Sequence, residues 1–466
     1  MTSAPNPFTP MLITFNPDRV YGRENEITSI LQVITSPEPN SHAIYGIRTI
    51  GKTTLLKYLK DPDGAFRHYE DFINAEYRPG GSRQVHFVYI NFSRFEEDDK
   101  LFSVILEHLL HDLTEGELLA DFDTRQVDDT SASRQDVVKS MRTILSDLDS
   151  EGIRIVFLLD EFNAPLRFVD DDDDRLLRTL SNQAALIIAT EEPISQLRPD
   201  FGASSPLLGI LRPEFIDLLS YSDSRVLISS PLQGTGIEFS SKEQDFLIET
   251  AGRQPFMLTA ACELYFDMRR EYPDVANMLD KDDSRRNLGN QFRSRLEELP
   301  HINSVLSKMW EALDEREQTT LYDITFSKGA EETSNRRSKT AKLANKSLAY
   351  LDLRHGVYHV FSLLFANFVK RQYIGRNRSA MTYPESILEN LTPIDRALFD
   401  YLLQHTDNIC TFDELRETVW DDSGKSKRAL EAAVHRLRKI MREGDQIKSI
   451  RGKGYKFVPG GANVDE

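Results

Sequence analysis

The stretch Gly46-Ile47-Arg48-Thr49-Ile50-Gly51-Lys52-Thr53-Thr54 decides the fold, because it fits the pattern G-x-x-x-x-G-K-[ST] of a phosphate-binding P-loop. Residues 42–45 before it predict a short buried strand, and residues 54–60 after it predict a helix. A P-loop needs this order, since the loop amides and the helix N-terminus then converge on phosphate. We expect Lys52 to reach the β- and γ-phosphates of ATP and the Thr53 hydroxyl to bind Mg²⁺. The alternative, an ordinary glycine-containing loop, does not account for both flanks.

Length and composition describe a globular protein of about three domains. The chain has 466 residues, of which 40% are hydrophobic and 28% charged. No apolar run approaches the roughly 18 residues that a membrane span needs, and residues 1–10 lack the pattern of a signal peptide. Cys262 and Cys410 lie far apart, which favours a reducing, cytoplasmic compartment without disulfides or a cysteine-based metal site. The net charge of −17 opposes uniform nucleic-acid binding but permits a local basic patch.

Residues 153–161 form the second motif, in which an apolar run ends in Asp160 and Glu161. This pattern predicts a buried parallel strand with two carboxylates at its C-terminal tip, where doubly wound sheets bind ligands. Asp160 is expected to bind Mg²⁺, directly or through water, and Glu161 to polarise the attacking water. Following a P-loop by about a hundred residues, the motif is interpreted as a Walker B strand.

The remaining apolar patterns complete an α/β core with a parallel, five-stranded sheet. Further strands are predicted over 85–92, 184–191 and 225–230, the last being the fifth core strand, and helices over 101–113 and 133–148. Five consecutive aspartates, 170–174, are interpreted as a solvated loop, and a cation site there stays open as an alternative.

Several motifs around the P-loop resemble those of AAA+-related ATPases, including the STAND signalling class. Residues 20–27 carry a hydrophobic-Gly-Arg-Glu box about 25 residues before the P-loop, and in those families this box packs near the adenine. The strand over 184–191 stands at the sensor 1 position, so the resemblance implies that Thr190 or Glu191 faces the γ-phosphate. Residues 251–256 resemble the Gly-x-x-Pro element of the lid, where the proline lies against the nucleobase; a proline in the first turn of a helix is the alternative.

The predicted site residues follow from these motifs. Those assigned to nucleotide binding are Tyr21, Gly22, Arg23, Gly46, Arg48, Gly51, Lys52, Thr53, Thr54 and Pro255. Those assigned to catalysis are Lys52, Asp160, Glu161 and Thr190, with Thr53 and Asp160 as the metal ligands. An arginine finger is not assigned, and the candidates are Arg48, Arg178, Arg212 and Arg253.

Residues 301–373 resemble the winged-helix domain that follows the lid in STAND proteins. The pattern is helical, then predicts a strand pair over 350–353 and 358–361 and a helix over 363–369. One position departs from the family. Where many STAND ATPases have a phosphate-sensing histidine, this chain has Phe361 and Ser362, and His359 lies two residues earlier.

The C-terminal residues closely resemble the winged helix-turn-helix domain of OmpR/PhoB-type response regulators. The match consists of Leu415 with Val419-Trp420, the basic run 435–439, and the wing 450–455. Residues 423–458 carry eleven Lys or Arg against three acidic residues, a net charge of +8, whereas residues 391–422 carry −6. The cations therefore concentrate on the third helix, predicted over 428–442, and on the wing, as DNA contact requires.

Helical spacing separates a packed from an exposed side of that third helix. Leu430, Val434, Leu437 and Met441 are expected to pack, so that Arg428, Glu431, Ala432 and His435 face a major groove. The predicted DNA-binding residues are Lys427, Arg428, Glu431, His435, Arg451 and Lys453. The alternative is a winged helix that contacts protein, because fold does not fix function.

The predicted organisation has seven parts. They are an N-terminal arm 1–19, an ATPase core 20–232, a helical lid 233–300, a winged-helix domain 301–373, a linker 374–390, a winged helix-turn-helix 391–459 and a tail 460–466. We predict a slowly hydrolysing ATP switch of the STAND type that controls a double-stranded-DNA-binding domain, with nucleotide-dependent homo-oligomerisation as one route of control. The alternative is a STAND-type sensor or scaffold, in defence or signalling, whose winged helices bind a protein partner. A DNA motor ranks last, since helicase motifs are missing from the sequence.

Overall fold

The protein is described by a computed structural model that divides into two compact units, Met1–Asn367 and Phe368–Glu466. The described residues are 5–9, 14–36, 40–76, 84–116, 118, 133–201, 205–326, 334–352, 357–380, 391–405, 409–420, 427–441 and 445–458. None of the helices within these ranges is long and apolar enough to cross a membrane.

The first unit is built on a parallel sheet, which has five strands in the described residues. The strands are β1 (Ser41–Tyr45), β2 (Gln84–Asn91), β3 (Ile153–Asp160), β4 (Ala185–Thr190) and β5 (Leu211–Phe215), and they lie in the order β2-β3-β4-β1-β5. Every residue of β3 and β4 is buried, as expected for parallel strands covered on both faces. The P-loop, the Walker B tip and the sensor 1 tip therefore emerge at one edge of the sheet, because parallel strands end on the same side.

The fifth strand is not where the sequence placed it. Residues 225–230, predicted as a strand, lie mostly in a helix, Tyr221–Ser229, whose first turn is capped by the Ser220 hydroxyl accepting from the Asp223 amide at 3.1 Å. The strand is β5 instead, which pairs only with β1 among the described strands and exposes Arg212 and Pro213. An edge strand tolerates proline and exposed polar residues, so β5 lacks the apolar run by which a buried strand is recognised.

Helices cover both faces of the sheet and confirm the two predicted over 101–113 and 133–148. One apolar layer packs strand residues such as Phe157 and Ile188 against the helices of residues 101–180, and the other packs Ile44 and Leu158 against the first two helices. The helices in chain order are α1 (Glu24–Thr35), α2 (Lys52–Lys60), α3 (Ala65–His68), α4 (Glu70–Glu76), α5 (Leu101–Glu115), α6 (Arg134–Ser150), α7 (Asn163–Leu166), α8 (Asp171–Leu180), α9 (Ile194–Leu197) and α10 (Tyr221–Ser229).

The aspartate run begins helix α8 and is not a solvated loop. The Asp170 side chain accepts from the backbone amides of Asp172 and Asp173. The Asp173 side chain in turn accepts from the Asp170 amide, which completes a capping box. Acidic residues in the first turn are stabilised by the positive end of the helix dipole. Asp174 is buried and accepts from the Ser205 hydroxyl at 3.0 Å. No group of three or more His, Cys, Asp or Glu in the described residues could hold a metal ion, so the alternative of a cation site here is not supported.

The lid and the predicted winged-helix region follow the sheet, and the last helix of that region crosses the boundary between the two units. The lid contains α11 (Ser241–Ala251), α12 (Pro255–Glu271), a 3-10 helix at Pro273–Asp280 and α13 (Asp282–Glu298). It is followed by α14 (Pro300–Glu311), α15 (Glu315–Phe326), α16 (Ser334–Asn345), the antiparallel pair β6 (Ala349–Asp352) and β7 (Val357–Val360), and α17 (Leu363–Ala380). Helix α17 runs through residues 374–380 of the predicted linker, and residues 381–390 lie outside the described residues. The order of three helices, a strand pair and a helix is that of a winged helix.

The N-terminal arm is attached to the lid. Phe8 is fully buried and its ring lies 6.4 Å from those of both Phe239 and Phe266. The Asn6 amide donates to the Glu263 carbonyl at 2.9 Å. Residues 5–9 are therefore part of the lid's packing.

The second unit contains a small three-helix domain with a wing. Its described helices are α18 (Pro393–Gln404), α19 (Phe412–Trp420) and α20 (Lys427–Arg438), and its strands β8 (Cys410–Thr411), β9 (Gln446–Ile450) and β10 (Gly454–Val458) form an antiparallel sheet in the order β8-β10-β9. Leu430, Val434 and Leu437 of α20 are buried in its core, as predicted, while Met441 follows the helix and is partly buried. The third helix therefore ends at Arg438, four residues before its predicted end.

Candidate functional site

The P-loop joins β1 to the first turn of α2. Gly51 is the N-cap of α2 and has a φ of 109°, and a Cβ atom there would meet nothing within 4 Å, so the loop is open on that side. Gly46 is required for a different reason, because a Cβ atom would lie 2.7 Å from the Ile216 carbonyl oxygen. Thr49 has a φ of 58°, a left-handed conformation that is unfavourable for a β-branched residue. Thr53 is half-buried in the first turn of α2, and Thr54 is exposed.

Lys52 is a buried cation in this loop. Its side chain is only 6% exposed, and its ammonium group donates to the carbonyl oxygens of Gly46 at 2.5 Å and Ile47 at 3.1 Å. Burial lowers the pKa of Lys52, while the charges of Glu161, Glu191 and Asp160 act in the opposite direction. Carbonyl oxygens carry only partial charge, so the position favours a phosphate group as an additional partner.

The two predicted Walker B carboxylates are placed differently. Asp160 is completely buried and accepts from the Tyr89 hydroxyl at 2.8 Å and the Asn91 amide at 3.4 Å. Glu161 follows the strand with a φ of 54°, and burial raises the pKa of its carboxyl group, against the effect of Lys52. A raised pKa suits a carboxylate that accepts a proton near neutral pH. Sequence reasoning missed Tyr89 and Asn91, which lie on β2 beside β3.

At the sensor 1 position the structure separates Thr190 from Glu191. Thr190 is buried, and its hydroxyl donates to the Glu192 carbonyl at 2.7 Å, within its own turn. Glu191 instead reaches the P-loop, where its carboxylate lies 2.5 Å from Arg48 Nε. Its amide donates to the Asn163 side chain at 2.7 Å, a partner that the sequence did not reveal.

The Gly-Arg-Glu box lies against the back of the P-loop. Arg23 is 6% exposed and donates to the Ile50 carbonyl at 3.0 Å and to Glu26 at 3.0 Å. Gly22 has a φ of 63° and packs so tightly on helix α10 that a Cβ atom would lie 2.4 Å from that of Asp223. Tyr21 beside it is half-buried. Arg23 thus supports the loop backbone directly.

The lid contacts the P-loop through a residue that sequence reasoning missed. Gln254 is completely buried, and its amide nitrogen donates to Thr49 at the carbonyl oxygen (2.7 Å) and at the hydroxyl oxygen (2.6 Å). Pro255 follows in the first turn of α12, as helix chemistry predicts, and is half-buried. No sequence signal could have found this contact, because the two residues are 205 positions apart.

The winged-helix region contacts the loop after β4. Lys346 lies 2.8 Å from both Glu192 and Glu317; burial lowers its pKa, but the hydrogen bonds to these two carboxylates raise it overall. Phe361, which the sequence resemblance aligned with the phosphate-sensing histidine of STAND ATPases, is buried against Gly252 of the lid, and His359 is exposed. A cleft of about 790 Å³ lies between the P-loop and the winged-helix region. Its lining includes Gly46, Ile47, Glu191, Glu192, Asp314 and Lys346.

These residues fit a magnesium nucleoside triphosphate. The buried Lys52 and the open loop at Gly51 suit phosphate oxygens, and the buried Asp160 and the Thr53 hydroxyl are the oxygen ligands that Mg²⁺ prefers beside phosphates. The described structure brings together Lys52, Thr53, Asp160, Glu161 and Glu191 at one edge of the sheet. Arg23 and Gln254 instead donate hydrogen bonds to carbonyl oxygens of the loop.

The second unit carries the predicted DNA surface. Arg428, Glu431, Ala432 and His435 are exposed along α20, and Arg451 and Lys453 are exposed in the turn between β9 and β10. The side chain of Lys427 lies outside the described residues. Two other basic residues of this helix stabilise the domain itself. Arg436 pairs with the buried Asp395, and Arg438 donates to the Ile447 carbonyl.

Comparison with known proteins gives a separate result for each part of the chain. Residues 388–457 match the protein family described as Transcriptional regulatory protein, C terminal. No curated protein matches the chain. A Walker-type ATPase of Pyrococcus abyssi has a similar structure, with a TM-score of 0.50 at 14% identity over 77% of this chain and 100% of that one. The Aeropyrum pernix ORC2 protein, solved as ADPNP–ADP complexes, gives a TM-score of 0.47 at 12% identity over 78% and 98%.

At these identities the structural likeness describes the fold alone. It agrees with the fold of the first unit, and the family match falls within the second unit. The resemblance of the C-terminal residues to OmpR/PhoB-type domains and the AAA+-like P-loop fold of the first unit are therefore confirmed, whereas membership of the STAND class stays a prediction. The chain joins an AAA+-type P-loop ATPase fold to a C-terminal domain of the transcriptional regulatory protein family, the OmpR/PhoB-type winged helix-turn-helix.

Proposed function

We propose that this protein is an ATP-dependent switch of the STAND type, which binds and slowly hydrolyses ATP and thereby controls DNA binding by its C-terminal domain. The observation that carries the proposal is the P-loop with its buried Lys52, held from behind by a residue of the lid. Such a site links phosphate binding to the position of a neighbouring domain.

The residues have separate roles in this proposal. Bound Mg²⁺·ATP supplies the phosphoryl group and the metal charge that stabilises its transfer. Lys52 would bind phosphate oxygens of the nucleotide, and Thr53 and Asp160 would hold the metal. Glu161 orients the attacking water and accepts its proton, for which its raised pKa is suited. Asp160 remains oriented because Tyr89 and Asn91 donate to it.

Nucleotide binding is tested with a fluorescent ATP analogue on the full chain. Lys52→Ala should abolish binding, whereas Lys57→Ala, an exposed lysine of the same helix, should leave it unchanged. ATP at a hundred times its dissociation constant should stabilise the wild-type chain by about 2.7 kcal/mol. Glu161→Gln should bind ATP normally and lose hydrolysis. Equal binding by the Lys52 and Lys57 variants would refute the assignment of the P-loop.

DNA binding is tested by fluorescence anisotropy with mixed-sequence duplex DNA over a series of salt concentrations. Arg451→Ala should reduce the slope of log affinity against log salt by about 0.9, the value for one lost phosphate contact. Arg175→Ala, an exposed arginine of the ATPase core, is the matched control. The wild-type affinity should differ between ATP and ADP. If the chain binds no DNA but retains a protein partner through nuclease and high salt, the scaffold alternative replaces this proposal.

A further inference from the structure

Gln254 belongs to the lid, but its side chain also bonds to the P-loop. It precedes helix α12 and is completely buried. One amide nitrogen donates to the Thr49 carbonyl oxygen at 2.7 Å and the Thr49 hydroxyl oxygen at 2.6 Å. The amide oxygen accepts from the Met257 backbone at 2.6 Å. A single planar group therefore joins the start of the lid helix to the middle of the phosphate-binding loop.

Thr49 is the loop residue that most needs such support. Its φ of 58° is unfavourable for a β-branched side chain, and such conformations persist only when their surroundings enforce them. The next residue is held in a similar way, because Arg23 donates to the Ile50 carbonyl at 3.0 Å. The carbonyl groups of two consecutive loop residues are thus fixed by side chains from outside the loop. Because the Ile50 carbonyl and the Gly51 amide belong to one planar peptide unit, fixing this carbonyl also fixes the direction of the Gly51 amide, which can then point towards phosphate.

We propose that Gln254 is a positioning residue that keeps the P-loop in its phosphate-binding conformation while the lid is docked, and so couples phosphate binding to the position of the lid. The inference rests on the proposed function and assigns the coupling to one side chain. Because Gln254 bonds to Thr49 and not to Lys52, Thr53 or the Walker B carboxylates, we expect it to affect ADP and ATP binding alike. Reciprocity then requires bound phosphate to stabilise the docked lid by the same factor.

The competing explanation is that Gln254 serves only as the N-cap of α12. Two substitutions separate the roles. Gln254→Glu keeps the size and the capping oxygen but replaces the donor towards Thr49 with a second oxygen. Gln254→Ser keeps a good N-cap that is too short to reach the loop. Gln244→Glu introduces the same chemical change elsewhere in the lid, where Gln244 donates to the Phe239 carbonyl, and is the matched control.

The experiment measures dissociation constants of fluorescent ADP and ATP analogues for the full chain and hydrogen exchange of the peptide containing residues 46–54 without nucleotide. Both Gln254 variants should weaken ADP and ATP binding about tenfold, the effect of two ordinary hydrogen bonds. Both should also accelerate exchange in this peptide, whereas Gln244→Glu should change neither quantity. Exchange in the peptides of α12 should stay at the wild-type rate, because the cap is preserved.

Four results are decisive. Dissociation constants within twofold of wild type in both Gln254 variants would overturn the inference, as would unchanged exchange in the 46–54 peptide. Faster exchange confined to α12 would assign Gln254 a capping role only, which also overturns it. Failure of the wild-type chain to bind either nucleotide would refute the proposed function itself, so the two failures are distinguishable.

Discussion

The ion pair between Asp395 and Arg436 should stabilise the C-terminal domain measurably, and Asp395→Asn is the substitution that isolates it. The guanidinium group donates to both carboxylate oxygens at 2.8 and 2.7 Å. The carboxylate is only 3% exposed, whereas the guanidinium is 51% exposed. Asparagine keeps the shape and one acceptor but removes the charge. The backbone amide of residue 395 can still donate to the Thr392 hydroxyl that caps α18.

The magnitude follows from these exposures. Breaking a fully buried pair costs about 3 to 5 kcal/mol, largely because the remaining charge is stranded away from water. Here the remaining guanidinium is half in water, and asparagine retains one neutral hydrogen bond worth about 1 kcal/mol. We therefore expect Asp395→Asn to lower the free energy of unfolding of this domain by about 2 kcal/mol, or about thirtyfold in the unfolding equilibrium.

Hydrogen exchange of the full chain is the suitable assay, because peptides from residues 393–458 report on this domain alone. Exchange in the buried segments of α20 and β10 should accelerate about thirtyfold in the variant. Asp400→Asn is the matched control. Its carboxylate lies on the same helix, 48% exposed and 3.4 Å from Arg396, and such a pair contributes about 0.5 kcal/mol or less. Equal acceleration by the two variants would refute the reasoning.

The pH dependence gives a second check on the same pair. The hydrogen bonds from Arg436 lower the pKa of the Asp395 carboxyl group. A group with a lowered folded pKa stabilises the fold fully above its unfolded pKa, about 3.9 for aspartate. That stability is lost as the pH falls through the lower, folded value. The difference between wild type and Asp395→Asn should thus be constant above about pH 5 and shrink below about pH 4.

Three further substitutions test the packing of the first unit. Gly252→Ala should lower the free energy of unfolding by about 2 kcal/mol more than Gly234→Ala does, as measured by thermal or urea unfolding. Both glycines have a positive φ, but only a Cβ atom at residue 252 would meet Phe361, at 2.7 Å. Equal effects would remove the steric argument. Phe8→Ala should lower the stability of the lid by about 3 kcal/mol, seen as faster exchange in α12, since the ring is fully buried between two lid phenylalanines. Lys346→Met should accelerate exchange in α14 and α15 by removing the cation between two carboxylates, and the effect should fade at high salt; no change at low salt would contradict it.

Much of the core could be predicted because its signals are local. The P-loop fits one continuous motif, and buried strands such as β3 are apolar along their whole length. The prediction of the fifth strand was wrong because this strand carries no such local signal. Its edge position allows Arg212 and Pro213, while the apolar run 226–228 belongs to a helix that begins at a serine cap. Short apolar runs do not distinguish the two structures without their flanking caps.

The aspartate run shows how position outweighs composition. Five like charges favour a solvated loop when they are considered alone. At a helix N-terminus they are stabilised, and here Arg134 also lies 2.7 Å from Asp170 and 2.8 Å from Asp173. The partner comes from a different helix, so the sequence around the run contains no sign of it. The same limit applies to Gln254 and Thr49, whose contact depends on the lid folding back over the core.

The contacts at the tip of β4 offer a route from the P-loop to the winged-helix region. Glu191 and Glu192 are consecutive, and they point to different partners: Glu191 pairs with Arg48 of the P-loop, and Glu192 pairs with Lys346 of the winged-helix region. A displacement of this turn on phosphate binding would therefore act on both ion pairs at once. In the STAND ATPases that the sequence resembles, a histidine contacts phosphate directly, whereas Phe361 here is buried against Gly252 of the lid. In the proposed switch, the winged-helix region would then respond to nucleotide through charge pairs. Such a response weakens with salt, whereas a direct phosphate contact in a buried site would be screened much less.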